Sequence, residues 1–217
     1  MLYFNIGMVI LAYLIGSVPS AVWIGKHFYN IDVREHGSGN AGTTNTMRLL
    51  GAKAGIPVLL MDTLKGFIAV NLIHLTDYYV PRTGDFVDFQ LLLGIAAILG
   101  HIFPVYVGFK GGKGVATLFG LILAIDPYPT LICVGIFVIT LIITRYVSLS
   151  SMIAGFAFPF LVIIVFKTTT PSLVTFSLII SILLLFTHQK NIERLLNREE
   201  SKANFLKRSH HHIHEDI

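Results

Sequence analysis

Long runs of apolar residues leave this chain few folds to adopt. Segments at roughly 3–25, 56–75 and 89–108 each carry enough apolar length to cross a hydrocarbon core of about 30 Å, which takes about 20 helical residues. Four more, at roughly 115–125, 130–144, 152–166 and 172–187, are shorter; they gain length from polar flanks or sit as re-entrant pieces buried in a bundle. The runs lack the period-two alternation of a barrel. Charged residues make up 13% of the 217 positions, against about 25% in a soluble domain, so most of the chain is dissolved in lipid. The expected fold is an all-α polytopic bundle of about seven transmembrane helices. It fills 1–198 as a single membrane domain, with a polar tail over 199–217 that is expected to be flexible.

The connecting segments carry the orientation. No Lys or Arg precedes the first segment, so the charged start of a signal peptide is absent and the segment reads as an uncleaved span. With seven spans, one side of the membrane receives 26–55, 109–114, 145–151 and the chain from 188. Those stretches hold 13 of the 16 Lys and Arg residues. The other side holds only Arg82 and Lys167, beside Asp77, Asp85, Asp88 and Asp126. The positive-inside rule places the N-terminus outside and the basic side in the cytoplasm. The net charge of +4 is therefore a topology signal beside anionic lipid headgroups, and no nucleic-acid partner is expected. A single cysteine, Cys133, excludes an intrachain disulfide and a cysteine metal cluster.

Polar chemistry collects on the basic side. The stretch 36–48 holds Gly37, Gly39 and Gly42, the hydroxyls of Ser38, Thr43, Thr44 and Thr46, the amides of Asn40 and Asn45, and Arg48. Glycines let successive N–H groups point at one spot, and Arg adds a fork suited to phosphate or carboxylate, so the stretch reads as an anion cradle. A second cluster sets Gly111, Gly112 and Gly114 around Lys113, directly before an apolar segment. That puts amides and a cation at a helix N-terminus, where an anion is favoured. Gly114 stands where a Walker A loop needs Ser or Thr, and no strand precedes it, so nucleotide hydrolysis is not implied. Arg145, Ser148, Ser150 and Ser151 form a third cluster, with two readings left open: part of a site, or a serine-capped helix start. The fourth, at the end of the last segment, places His188 and Asn191 on one helical face.

Other polar positions read more blandly. Asp62 and Lys65, three apart inside a span, form a self-neutralising pair. His101 either braces the second glycine loop or packs within its helix. His27 and Asp32 match a His-x4-Asp acyltransferase spacing, but the residues that follow do not continue that motif. His210, His211, His212 and His214 read as a frayed polar end.

Three of these clusters, in order, resemble the acyl-phosphate:glycerol-3-phosphate acyltransferases of bacterial membranes, the PlsY family. They are Gly37, Ser38, Gly39 and Asn40 through Thr44 and Asn45 to Arg48; His101 and Pro104, then Gly111, Gly112, Lys113 and Gly114 with Ala116 and Thr117; and His188, Asn191 and Arg194. The resemblance implies transfer of a fatty acyl group from a long-chain acyl phosphate to the sn-1 hydroxyl of glycerol 3-phosphate. The products would be lysophosphatidic acid and inorganic phosphate, formed at the cytoplasmic face of the plasma membrane. On this reading Arg48 and Lys113 hold phosphate charge, with the amides of residues 111–114 around one phosphoryl group. Ser38 is counted as catalytic with Arg48, Lys113, His188 and Asn191, and Gly39, Asn40, Thr44 and Asn45 bind substrate; Ser150 and Ser151 are added to these from the third cluster, outside the resemblance. His188 and Asn191 orient the attacking hydroxyl. Partners are the two substrates and membrane lipid, and neither metal nor cofactor is expected. Two rivals need features not found: a phosphate-anion carrier needs a midplane site and internal repeats, and a CDP-alcohol-type enzyme needs clustered Asp.

Overall fold

The apolar segments fold as helices because every backbone donor and acceptor in lipid must be satisfied within the protein. A computed structural model describes residues 1–203, and among the described residues there is no strand. Helices α1 (Leu2–Gly16) and α2 (Ser20–Tyr29) form the first span, interrupted at residues 17–19, where Pro19 has no N–H to give. A short α3 (Thr43–Leu50) leads into α4 (Ala52–Asn71), which a 3₁₀ turn extends over Leu72–Leu75. Then come α5 (Gly84–Ile102), α6 (Val115–Ile125), α7 (Pro127–Thr144) and α8 (Val147–Phe160), the last running into a π-helical turn at Leu161–Val165. Helix α9 (Pro171–Thr187) ends where the chain bends by 59° into α10 (Gln189–Leu196).

The sequence pattern predicts about seven spans. Among the described residues five helices are long and apolar enough to cross, and a sixth if the bent α9–α10 pair counts as one. The seventh apolar element, α6, has only 11 residues, about 16 Å at 1.5 Å per residue, roughly half of a hydrocarbon core. Its start, at Lys113, and the chain beyond α7, at Ser148, nevertheless meet in one hydrogen-bonded cluster through Asn191 and Glu200. So α6 and α7 together leave the basic end of the bundle and return to it.

Two apolar clusters lie within the bundle: Met8, Ala12, Ile73, Phe89 and Leu93 between α1, α4 and α5, and Val70, Leu121, Phe158, Val162 and Phe176 between α4 to α6, α8 and α9. A third, with Val22, Val33, Ala41 and Val58, lies beneath the first glycine-rich loop. Helix α7 is peripheral, with Ile139, Ile142 and Ile143 turned outward.

Helices α4 and α6 touch backbone to backbone. A Cβ on Gly66 would collide with the Thr117 carbonyl, and one on Gly120 would collide with that of Thr63. Without a hydrophobic drive between helices in lipid, such close van der Waals contact is what holds them. Gly66→Val should therefore destabilise the protein by about 1–3 kcal/mol through overpacking. Gly135→Ala, where nothing lies within 4 Å of the added carbon, should leave melting in detergent nearly unchanged.

Candidate active site

At the basic end the first loop is built around Asn45, which is buried. Its Oδ1 accepts the Ser38 N–H at 2.9 Å, and its Nδ2 donates to the carbonyls of Val33 at 2.8 Å and His36 at 3.1 Å. The expected ligand role of Asn45 is thus replaced by an internal one, since its amide is spent on holding Ser38. Ser38, Gly39, Thr44 and Arg48 are exposed at the surface of this loop and α3, with Asn40 half-buried beside them. Thr43 Oγ1, one of the cradle's hydroxyls, is buried with no partner among the described residues.

Arg34 braces this loop against the second. It is paired with Asp32 at 2.7 Å and donates to the carbonyl of Val107 at 2.8 Å. Hydrogen bonds from Arg34 hold the Asp32 carboxyl well below the usual carboxylate range. Lys26 also pairs with Asp32, at 3.0 Å, while the His27 ring stands edge-on to Phe28. Asp32 is therefore an anchor for cations and not the orienter of His27.

The second loop is positioned by the end of α5. The N–H of Gly111 donates to Ile102 at 3.0 Å and that of Gly112 to His101 at 3.2 Å. These two amides, expected to surround a phosphoryl group, are already used as the C-terminal closure of α5. The N–H groups left for an anion are those of the first turn of α6, from Val115 onward, which no intrahelical carbonyl can reach. Gly114, in the left-handed region at φ 78°, turns the chain into that helix.

Lys113 donates to Asn191 Oδ1. Burial, and then the nearby Arg194, push its ammonium down to about 8. Asn191 Nδ2 donates to Glu200 Oε1 at 2.8 Å, Ser148 Oγ to the same oxygen at 2.7 Å, and Arg194 Nε to Oε2 at 2.9 Å. Burial works to raise the Glu200 carboxyl, but the bonds from Ser148, Asn191 and Arg194 outweigh it and hold it ionised. The chain then continues past Glu200, with the Ala203 N–H donating to the Arg145 carbonyl at 2.7 Å. Glu200, placed by its sequence position in the tail, is thus a buried member of this cluster. Only its distance from Arg194 could have hinted at this, and Glu193 and Glu199 are as close in sequence. His210, His211, His212 and His214 lie outside the described residues.

His188 is the first residue past α9. Its Nδ1–H donates to the Leu184 carbonyl at 2.9 Å, which leaves Nε2 with the lone pair. Burial, then the charge of Lys113, push the imidazole down to about 4, so it is neutral at pH 7. Ser150 and Ser151 do not join the site. Their hydroxyls return to the carbonyls of Tyr146 at 2.8 Å and Val147 at 3.0 Å, and Ser150 is enclosed by protein. The member of that cluster that reaches the site is Ser148.

The fold defines an all-α integral membrane protein, with a cationic cluster of glycine-rich loops and helix ends at one end of its bundle. The chain matches the family described as Glycerol-3-phosphate acyltransferase over residues 6–198. It is 43% identical to the glycerol-3-phosphate acyltransferase of Fusobacterium nucleatum over 91% of this chain and 97% of the relative. It is 46% identical to that of Listeria welshimeri over 91% and 96%. Among solved structures it is similar to the crystal structure of PlsY, an integral membrane glycerol 3-phosphate acyltransferase, in its glycerol 3-phosphate form. That likeness has a TM-score of 0.79 and 34% identity, covering 91% of this chain and 94% of the other. The lysophosphatidic acid form gives 0.78 and 34%, covering 93% and 96%. The chain belongs to the glycerol-3-phosphate acyltransferase family.

Two outcomes follow from the cluster. With Lys113 protonated below about 8 and neutral above it, kcat/KM should fall as pH rises through that value, since kcat/KM reports the free enzyme. In Lys113→Arg the residual activity should lose this limb. Glu200→Gln, which keeps the shape but removes the charge that Arg194 and Asn191 meet, should lower turnover about tenfold in a steady-state assay.

Proposed function

We propose that this chain transfers a fatty acyl group from acyl phosphate to the sn-1 hydroxyl of glycerol 3-phosphate. It releases lysophosphatidic acid and inorganic phosphate at the cytoplasmic face of a bacterial plasma membrane. The observation that carries the reading is the bond from Lys113, at the start of α6, to Asn191, one turn beyond His188. It joins a phosphate-holding cation to a pair able to orient a hydroxyl. Glycerol 3-phosphate has both groups, and its phosphate takes the Lys113 side with the first-turn amides of α6. The acyl phosphate headgroup then faces Ser38, Asn40, Thr44 and Arg48 on the opposing loop, with its chain toward lipid.

In the reaction the sn-1 oxygen attacks the acyl carbon, and the tetrahedral intermediate collapses with loss of phosphate. The hydroxyl proton ends on a phosphate oxygen of the leaving group. His188 is too weakly basic to hold that proton, so its Nε2 orients the hydroxyl as an acceptor. Alignment and the fixed charges of Lys113 and Arg48 supply the rate, because the donor is already activated. No covalent acyl-serine is needed, as no base is hydrogen-bonded to Ser38 among the described residues.

Purified protein given palmitoyl phosphate and glycerol 3-phosphate, without metal, CoA or nucleotide, should release phosphate and lysophosphatidic acid in equal amounts. Turnover with acyl-CoA and none with palmitoyl phosphate would overturn the donor assignment. In a Cys133→Ala background, Thr44→Cys and Lys110→Cys should both be labelled from the cytoplasmic side of oriented vesicles. Labelling of either from outside only would overturn the orientation.

A further inference from the structure

His101 takes no part in the chemistry above, yet it is enclosed at the end of α5 with only 6% of its surface exposed. Its Nδ1 lies 3.2 Å from Thr117 Oγ1 on α6 and 3.6 Å from Asp62 Oδ1 on α4. Asp62 is in turn fixed by the Lys65 ammonium at 2.8 Å and the Ser20 hydroxyl at 2.9 Å. Three helices thus set the plane of one imidazole. Its far edge abuts the second glycine loop: a Cβ on Gly112 would overlap His101 Nε2 and come within 2.8 Å of the Ala41 carbonyl. Ala41 belongs to the first loop, so the ring, Gly112 and Ala41 form a stack joining the two loops. The His101 carbonyl holds the Gly112 N–H as well.

We propose that His101, oriented by Asp62 and Thr117, is a positioning residue. It sets the height of the 111–114 turn and its spacing from the first loop, and through that turn the affinity of the α6 N-terminus for glycerol 3-phosphate. Filling this space needs only an apolar ring. A charged pair inside a span is costly to bury, and here it is placed where its carboxylate faces the imidazole edge. The inference rests on the reading of the site given under Proposed function.

The test uses full-length His101→Phe, which keeps a ring without its polar edge, and Thr117→Val, which keeps the shape of α6 and leaves the Asp62–Lys65 pair untouched. Both are compared with wild type for KM, kcat and melting temperature in detergent. KM for glycerol 3-phosphate should rise about tenfold in His101→Phe and about threefold in Thr117→Val, with kcat within about threefold of wild type. An unchanged KM in folded Thr117→Val and His101→Phe would overturn the inference. So would a joint fall in kcat and melting temperature with KM unchanged, which marks a structural role. If wild type itself shows no glycerol 3-phosphate-dependent turnover, it is the functional reading that fails. Calorimetric binding of glycerol 3-phosphate to wild type and Thr117→Val then decides the positioning role: about threefold weaker binding by the variant supports it, and equal binding, or none to wild type, overturns it.

Discussion

A carboxylate inside a membrane span has no water to meet it, and most of this architecture can be traced from how Asp62 is satisfied. Lys65 neutralises it from the next turn of α4, and Ser20 donates to it from α2. Lys65 also donates to the Val18 carbonyl at 2.9 Å, at the point where Pro19 interrupts the first span. The ion pair therefore pins the interruption that separates α1 from α2. Its other side looks toward His101 and Thr117, so α2, α4, α5 and α6 share one polar centre. Removing one member would strand the other charge in a site that cannot hydrate it, the costly way to break a buried pair.

Around that centre the site is a balance of cations and one carboxylate. Lys113 and Arg194 stand near each other, and Glu200 lies between the elements that carry them, bonded to Asn191, Ser148 and Arg194. This holds α8, α10 and the start of α6 together, while Arg48 on α3 and Ser38 and Gly39 of the first loop stay exposed. The cations of this cluster are thus already placed by bonds within the protein, and the binding proposed above needs little rearrangement of them.

The apolar segments were legible because lipid imposes a crude, length-based rule. All seven reappear as helices, with boundaries shifted by a few residues, and Asp62 and Lys65 pair as their spacing requires. What the sequence hides is where polar groups spend their bonds. Ser150 and Ser151 satisfy carbonyls one turn back, Asn45 closes its own loop, and Gly111 and Gly112 finish α5. Each of these has the composition of a ligand-binding residue and is consumed locally. Glu200 is the converse case: a tail position in sequence, made part of the site by contact with Ser148, 52 residues earlier. Spacing cannot reveal a partner that only the folded chain brings near.

The shortness of α6 has its own consequence. It meets α7 at Asp126, and α7 runs 18 residues back toward the basic end where α6 has only 11. At 1.5 Å per residue α6 is about 10 Å shorter than α7. The first-turn amides of α6 therefore stand at the mouth of a helix too short to cross a hydrocarbon core by itself. On the reading proposed above, phosphate binds at the start of that half-length helix, where an irregular stretch of chain is kept inside protein and away from lipid.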